Sequence, residues 1–80
     1  MENVEHILRE AARERRRILV NFEYAPGLTY DRELEPYAIE GGELIAYSYL
    51  RDEFRTLALA DIRRVEVTPR SFEPRRPIDL

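Results

Sequence analysis

The residues of this chain that are best suited to chemistry are arginines and tyrosines. All 13 basic residues are arginine, whose planar guanidinium makes bidentate contacts with phosphate or carboxylate. Tyr37, Tyr47 and Tyr49 offer ring faces of the kind on which nucleobases stack. Five arginines of the same region can supply positive charge: Arg32, Arg51, Arg55, Arg63 and Arg64. This combination predicts binding of a nucleotide, single-stranded nucleic acid or another anionic ligand. Arg51 is the least expected of these arginines to take part, because it lies in a polar turn that is expected to be exposed to solvent.

Three of these side chains also have a purely structural interpretation. Tyr47 can belong to the core, and Tyr37 can cover the rim of a small barrel. Arg55 lies within an apolar strand, where it can pair with an acid such as Glu35 or Glu40. The residue types alone leave both interpretations open.

Catalysis and metal binding have little support in the sequence. The chain has no cysteine and a single histidine, His6, which excludes disulfides, thiolate metal sites and multi-histidine metal sites. It lacks a Ser/His/Asp order and a glycine-rich phosphate loop. Glu33 and Glu35 point to one face of a strand, but two carboxylates alone are weak evidence. The sequence therefore predicts a protein that is not an enzyme and has no cofactor.

The elements that would position these side chains are one helix and about five short strands. Val4, Ile7, Leu8 and Ala11 recur at i, i+3, i+4 and i+7, which predicts a helix over residues 3–16. Alternation with period two then predicts strands. Their expected ranges are 17–24, 28–40 (two short strands or one bent strand), 43–50, 54–60 and 63–68.

Tight turns join the predicted strands. Pro26-Gly27 fits a type II turn, and Gly41-Gly42 fits a type I′ hairpin turn, which needs positive φ at both positions. Residues 51–53 form a polar turn, and residues 60–62 a single helical turn. Five strands from about 50 residues predict a strongly bent, nearly closed barrel with the helix over one opening.

The whole chain, 1–80, is predicted to be a single domain, with the barrel at 17–67 and a proline-rich tail at 68–80 that is extended or weakly ordered. The net charge is −3, which excludes a protein that coats nucleic acid with a generally basic surface. Any site for an anion must therefore be local. The absence of cysteine and of a long apolar run favours a cytoplasmic protein without membrane contact.

Several segments, in order, resemble the WYL domain, a bacterial regulatory module with an Sm-like barrel. They are RRRILVNFEYAPG, DRELEPYAI, GGELIAYSYLRDEFRTLALADI and VEVTPRSFEP. Six single positions also match the family pattern: Arg32, Pro36, Tyr37, Tyr47, Arg55 and Ile62. The chain departs from the pattern where the family has its name-giving tripeptide, since Gly42, Glu43 and Leu44 stand there and only the leucine remains. It also lacks the second arginine of the family's Arg-Thr-Phe-Arg-Leu stretch, where Ala58 stands.

The resemblance implies a regulatory domain that senses a ligand, in the context of transcription regulation. Members of the family are thought to bind a nucleotide or single-stranded nucleic acid through basic and aromatic groups on one face of the barrel. The ligand-binding residues predicted on this basis are Arg55, Tyr47, Arg32, Tyr37, Arg63 and Arg64.

Two functions therefore follow from the sequence. The first is a WYL-like regulatory domain that binds an anionic ligand on one barrel face and modulates a protein partner. The alternative is a protein-interaction or oligomerisation module without ligand binding, which would use a strand edge or the tail as its contact. A protein partner or a homo-oligomer is expected in either case.

Overall fold

The computed structural model describes residues 3–80, which form one helix and one five-stranded antiparallel sheet. The elements in order are α1 (Val4–Arg13), β1 (Arg16–Ala25), β2 (Leu28–Glu40), β3 (Glu43–Ser48), β4 (Glu53–Ala58), a 3-10 turn (Leu59–Asp61) and β5 (Ile62–Ser71). This confirms the predicted fold class, a mainly β domain with a preceding helix.

Helix α1 begins at the cap that its sequence provides and ends earlier than predicted. The Asn3 side chain accepts a hydrogen bond from the His6 backbone N–H at 3.2 Å, which satisfies one of the free donors of the first turn. The helix ends at Arg13 because Arg15 adopts a left-handed conformation, with φ of 56°, and Arg16 already belongs to β1.

The strand order of the sheet is β4-β3-β2-β1-β5. Residues 28–40 form one bent strand, since the pairing of β2 with β3 shifts between Pro36 and Ala38 and a bulge of this kind bends a strand. Gly27, Gly41 and Gly42 all have positive φ, as the predicted turns require. The helical turn begins at Leu59, one residue before its expected position.

One face of the sheet, here called the inner face, carries the main core. Leu8 and Ala11 of α1 pack there on Ile18, Val20 and other buried residues of all five strands. Leu57 of β4 and Val65 of β5 belong to the same cluster although their strands are the two ends of the sheet. The sheet is therefore strongly bent, as predicted. Within residues 3–80, β4 and β5 do not pair with each other, so the barrel is not closed.

The opposite face, here called the outer face, is covered by the C-terminal segment, residues 72–80. Phe72 is buried with Tyr37 and Tyr47, and Ile78 packs against this second cluster. The Asp79 N–H donates to the Tyr37 carbonyl at 2.7 Å. The segment is thus extended, and its apolar and arginine side chains pack against the sheet.

Candidate ligand-binding site

A cavity of about 300 Å³ lies on the inner face of the bent sheet. Its walls come from β1, β2, β4, the β3–β4 turn and the 3-10 turn. The charged and aromatic lining residues are Phe22, Glu23, Tyr24, Tyr30, Arg32, Arg51, Arg55 and Asp61. The bend of the sheet therefore brings together side chains that are distant in sequence.

Three arginines line this cavity, and each keeps free N–H donors. Arg32 donates one hydrogen bond to the Asp31 carbonyl at 2.9 Å. Arg55 pairs with Glu53 at 3.1 Å, and both side chains are about half exposed. Arg51 has no ion pair within the described residues 3–80. Because a guanidinium has five donors, all three arginines can accept a further anionic partner.

The aromatic wall of the cavity is built by the β1–β2 hairpin. Phe22 and Tyr30 are register partners, and their ring centroids are 4.2 Å apart. The Tyr24 and Tyr30 centroids are 5.0 Å apart. The Arg32 guanidinium lies 3.8 Å from the Tyr30 ring centroid, a cation–π contact that holds the arginine in place. Tyr24 is 59% exposed, so its ring is accessible to a ligand.

Acidic residues mark the other side of the cavity. Glu23 and Asp61 also line an adjoining cavity with Pro26, which places them towards the β1–β2 turn. Arg63 Nε donates to Glu23 at 2.9 Å. Hydrogen bonds from Arg63 and the Gly27 N–H hold the pKa of Glu23 below its usual value. Arg63 is therefore engaged at the rim and is less available than the other three arginines.

The six residues predicted to bind a ligand do not lie together. Arg32 and Arg55 line the inner cavity. Tyr37 and Tyr47 belong to the cluster of the outer face, 1% and 6% exposed, beneath the C-terminal segment. Arg63 pairs with Glu23, and Arg64 pairs with Glu66. The sheet therefore separates the predicted aromatic residues from the predicted arginines of the cavity.

The partner of Arg55 also differs from the expected ones. Arg55 is the register partner of Ala46 on the inner face, whereas Glu35 is the partner of Tyr47 on the outer face. Glu53 is two residues from Arg55 on the same strand and so shares its face. The sequence predicted Glu53 to lie in the turn before this strand, whereas β4 begins at Glu53.

Tyr24 and Tyr30 are cavity residues that sequence reasoning missed. Phe22 and Tyr24 alternate on one face of β1, and the Pro26-Gly27 turn sets Tyr30 opposite Phe22. This short hairpin was therefore the signal that could have located the aromatic wall.

The outer face holds a buried carboxylate, Glu35, which is 2% exposed. It accepts hydrogen bonds from the Tyr37 hydroxyl at 2.6 Å, from the Tyr49 hydroxyl, and from Arg75 Nε at 3.2 Å. Its neighbour Glu33 accepts hydrogen bonds from Arg70 at 2.8 and 2.9 Å, which lower the pKa of Glu33. Both carboxylates are thus satisfied by partners within the fold.

Alkaline pH should weaken the fold through this network. Burial, together with the hydrogen bonds to Glu35, raises the pKa values of Tyr37 and Tyr49 to about 12. A tyrosine in the unfolded chain loses its proton at about pH 10, so the folded state holds these protons more tightly. The free energy of unfolding should therefore fall as the pH rises above about 10.

Chemical denaturation at a series of alkaline pH values measures this effect. The double variant Tyr37→Phe/Tyr49→Phe should show a smaller decrease of stability above about pH 10 than the wild-type chain. An equal decrease in both proteins would show that these hydroxyls do not cause the loss of stability at alkaline pH.

No group of three or more potential metal ligands occurs within residues 3–80. The one helix in this range is also too short and too polar to cross a membrane.

Comparison with solved structures identifies a similar fold. The chain resembles proteasome accessory factor B/C (PafBC) of Arthrobacter aurescens, with a TM-score of 0.78 and 17% sequence identity. The match covers 84% of this chain but only 11% of PafBC, so it compares one domain with a small part of a longer protein. At this identity the match shows a shared fold alone. No family model matches the chain, and no curated protein matches it significantly.

Proposed function

We propose that this chain is a WYL-like regulatory domain that binds a nucleotide, or a short single-stranded nucleic acid, in the inner cavity and thereby modulates a partner protein. The observation that carries the proposal is the placement of Arg32, Arg51 and Arg55 around one cavity whose wall contains Tyr24 and Tyr30. The WYL-like fold is consistent with a regulatory role.

The arginines supply the anion-binding part of the site. The chain as a whole is acidic, so long-range attraction of a phosphate is weak, and close contacts must provide the affinity. The Arg55–Glu53 pair is exposed to solvent and contributes little stability. A phosphate can therefore replace Glu53 as the partner of Arg55 at small cost, and bidentate arginine contacts fit its geometry.

The tyrosines supply the part that binds a planar group. Tyr30 is held between Phe22, Tyr24 and the Arg32 guanidinium, whereas the ring of Tyr24 is largely exposed. Stacking of a base on such a ring contributes about 1–3 kcal/mol. The volume of about 300 Å³ lies at the lower end of ligand cavities, which suits one nucleotide unit inside the cavity.

Binding of a fluorescently labelled mononucleotide and of a short oligonucleotide at low salt tests the proposal. Arg32→Ala and Arg55→Ala should each weaken binding by about tenfold, because each removes a charge-assisted contact of roughly 1.5 kcal/mol. Arg64→Ala is the matched control, since Arg64 is exposed and pairs with Glu66 away from the cavity. The affinity should also fall as salt is added, less steeply in the two cavity variants.

Two results would contradict the proposal. One is the absence of nucleotide and oligonucleotide binding at low salt by a folded protein, which would favour an interaction module without ligand binding. The other is an Arg64→Ala variant that loses as much affinity as Arg55→Ala, which would place the binding surface elsewhere.

A further inference from the structure

Arg75 of the C-terminal segment occupies a site on the outer face that has three parts. Its Nε donates to the buried Glu35 carboxylate at 3.2 Å. Its backbone N–H donates to the Tyr37 hydroxyl at 2.8 Å. Its guanidinium carbon lies 3.7 Å from the centroid of the Tyr47 ring. The carboxylate and the aromatic face suit the guanidinium of an arginine, and the hydroxyl accepts from its backbone N–H.

The rest of the segment extends this contact on both sides. Phe72 and Ile78 pack against the aromatic cluster of the outer face. The guanidinium carbon of Arg76 lies 3.7 Å from the Phe54 ring centroid. Asp79 forms a parallel bridge with Ala38 of β2. The segment thus binds as an extended peptide, with an apolar anchor on each side of two arginines.

The two sides of this contact differ in burial. Residues 73–77 of the segment are exposed, whereas Glu35 and Tyr37 beneath them are 2% and 1% exposed. One isolated bridge is the segment's only strand pairing with the sheet in the described chain. A short exposed segment with so few backbone bonds opens more readily than the sheet below it. Its detachment would uncover a preformed acidic and aromatic groove.

We propose that the outer face is a docking surface for an extended, arginine-containing peptide of a partner protein, and that residues 72–79 occupy it in the isolated chain. The partner segment would place an arginine between Glu35 and Tyr47, with an apolar residue on each side. This inference rests on the outer face alone and is independent of ligand binding in the inner cavity.

The charges of the groove favour this occupant over a nucleic acid. Its buried charge is the Glu35 carboxylate, which would repel a phosphate once Arg75 has left. The same carboxylate would attract the guanidinium of an incoming peptide. Extended peptides that pair with a strand and insert alternate side chains are a common mode of recognition.

The test uses a fluorescent peptide with the sequence of residues 71–80 and the full chain carrying Arg75→Met. Weakening the internal segment should raise the affinity for the added peptide by about tenfold relative to the wild-type chain, the factor for one charge-assisted contact. The same peptide carrying Arg75→Met should bind the variant about tenfold more weakly. Adding Glu35→Gln to the variant should also reduce binding of the original peptide.

Equal affinity of the peptide for the wild-type chain and the folded variant would overturn the proposal. If Arg75→Met does not fold, amide NMR spectra of the wild-type chain with a large excess of peptide decide the question. Shifts at Ala38, Tyr47 and residues 72–79 would support exchange on the outer face, and unchanged spectra would overturn it. A dimer that grows with concentration through exchanged C-terminal segments would also overturn it, because the occupant would then be a second copy.

Discussion

Replacing Arg75 with methionine should lower the free energy of unfolding, and by clearly more than the same change at an ion pair whose two members are both exposed. Methionine preserves much of the aliphatic packing but removes the guanidinium from Glu35, which is 2% exposed. The carboxylate then keeps only the hydroxyls of Tyr37 and Tyr49 as partners. The Arg75 side chain is 43% exposed, but its removal is costly because the Glu35 charge stays desolvated. Urea denaturation measures the change.

Arg64→Met is the matched control for this prediction. Arg64 and its partner Glu66 are 64% and 57% exposed, so the loss of their pair should cost less than about 1 kcal/mol. Adding Glu35→Gln to Arg75→Met should recover part of the lost stability, since the uncompensated charge is removed. Equal costs for Arg75→Met and Arg64→Met would show that the contact of Arg75 with the buried Glu35 carboxylate is not important for stability.

Leu44→Ala should lower the free energy of unfolding by about 2–5 kcal/mol. Leu44 is completely buried in the core between the helix and the sheet. Its truncation leaves a cavity there in addition to the lost transfer free energy. A domain of this size has a total stability of only about 4–12 kcal/mol, so the variant should melt at a markedly lower temperature.

Leu50→Ala provides the comparison, because Leu50 is 66% exposed. The same chemical change there should alter the stability by no more than about 0.5 kcal/mol. Thermal unfolding followed by circular dichroism compares the two variants directly. A loss at Leu50 as large as that at Leu44 would mean that the β3–β4 turn packs more tightly than the structure shows.

Leu44 and Leu50 illustrate what the sequence predicts well. Alternation placed both on one face of a strand over 43–50, and Leu44 does lie in the core. Leu50 does not, because β3 ends at Ser48 and the chain turns before it. Local patterns thus predict an element and its faces, whereas the position at which a strand ends depends on the turn, here with Asp52 at a φ of 55°.

The candidate site was predicted only in part for a related reason. Arg32 and Arg55 were expected to lie near a ligand because of their residue type, and the bend of the sheet does bring them to one cavity. Tyr37 and Tyr47 were expected beside them, but they lie on the outer face. Alternation indicates which residues share a face of one strand. It does not indicate which face a distant segment, here residues 72–80, will cover.

The five tyrosines are distributed over the two faces of the sheet, so the intrinsic fluorescence of the chain can report on ligand binding. The chain contains no tryptophan, so its ultraviolet emission comes from tyrosine. The hydroxyls of Tyr37, Tyr47 and Tyr49 donate to carboxylates of Glu35 and Asp52, and such hydrogen bonds quench tyrosine fluorescence. Tyr24 and Tyr30, in the wall of the inner cavity, therefore contribute most of the fluorescence emission. Quenching of the intrinsic emission by an added ligand consequently reports on the inner cavity.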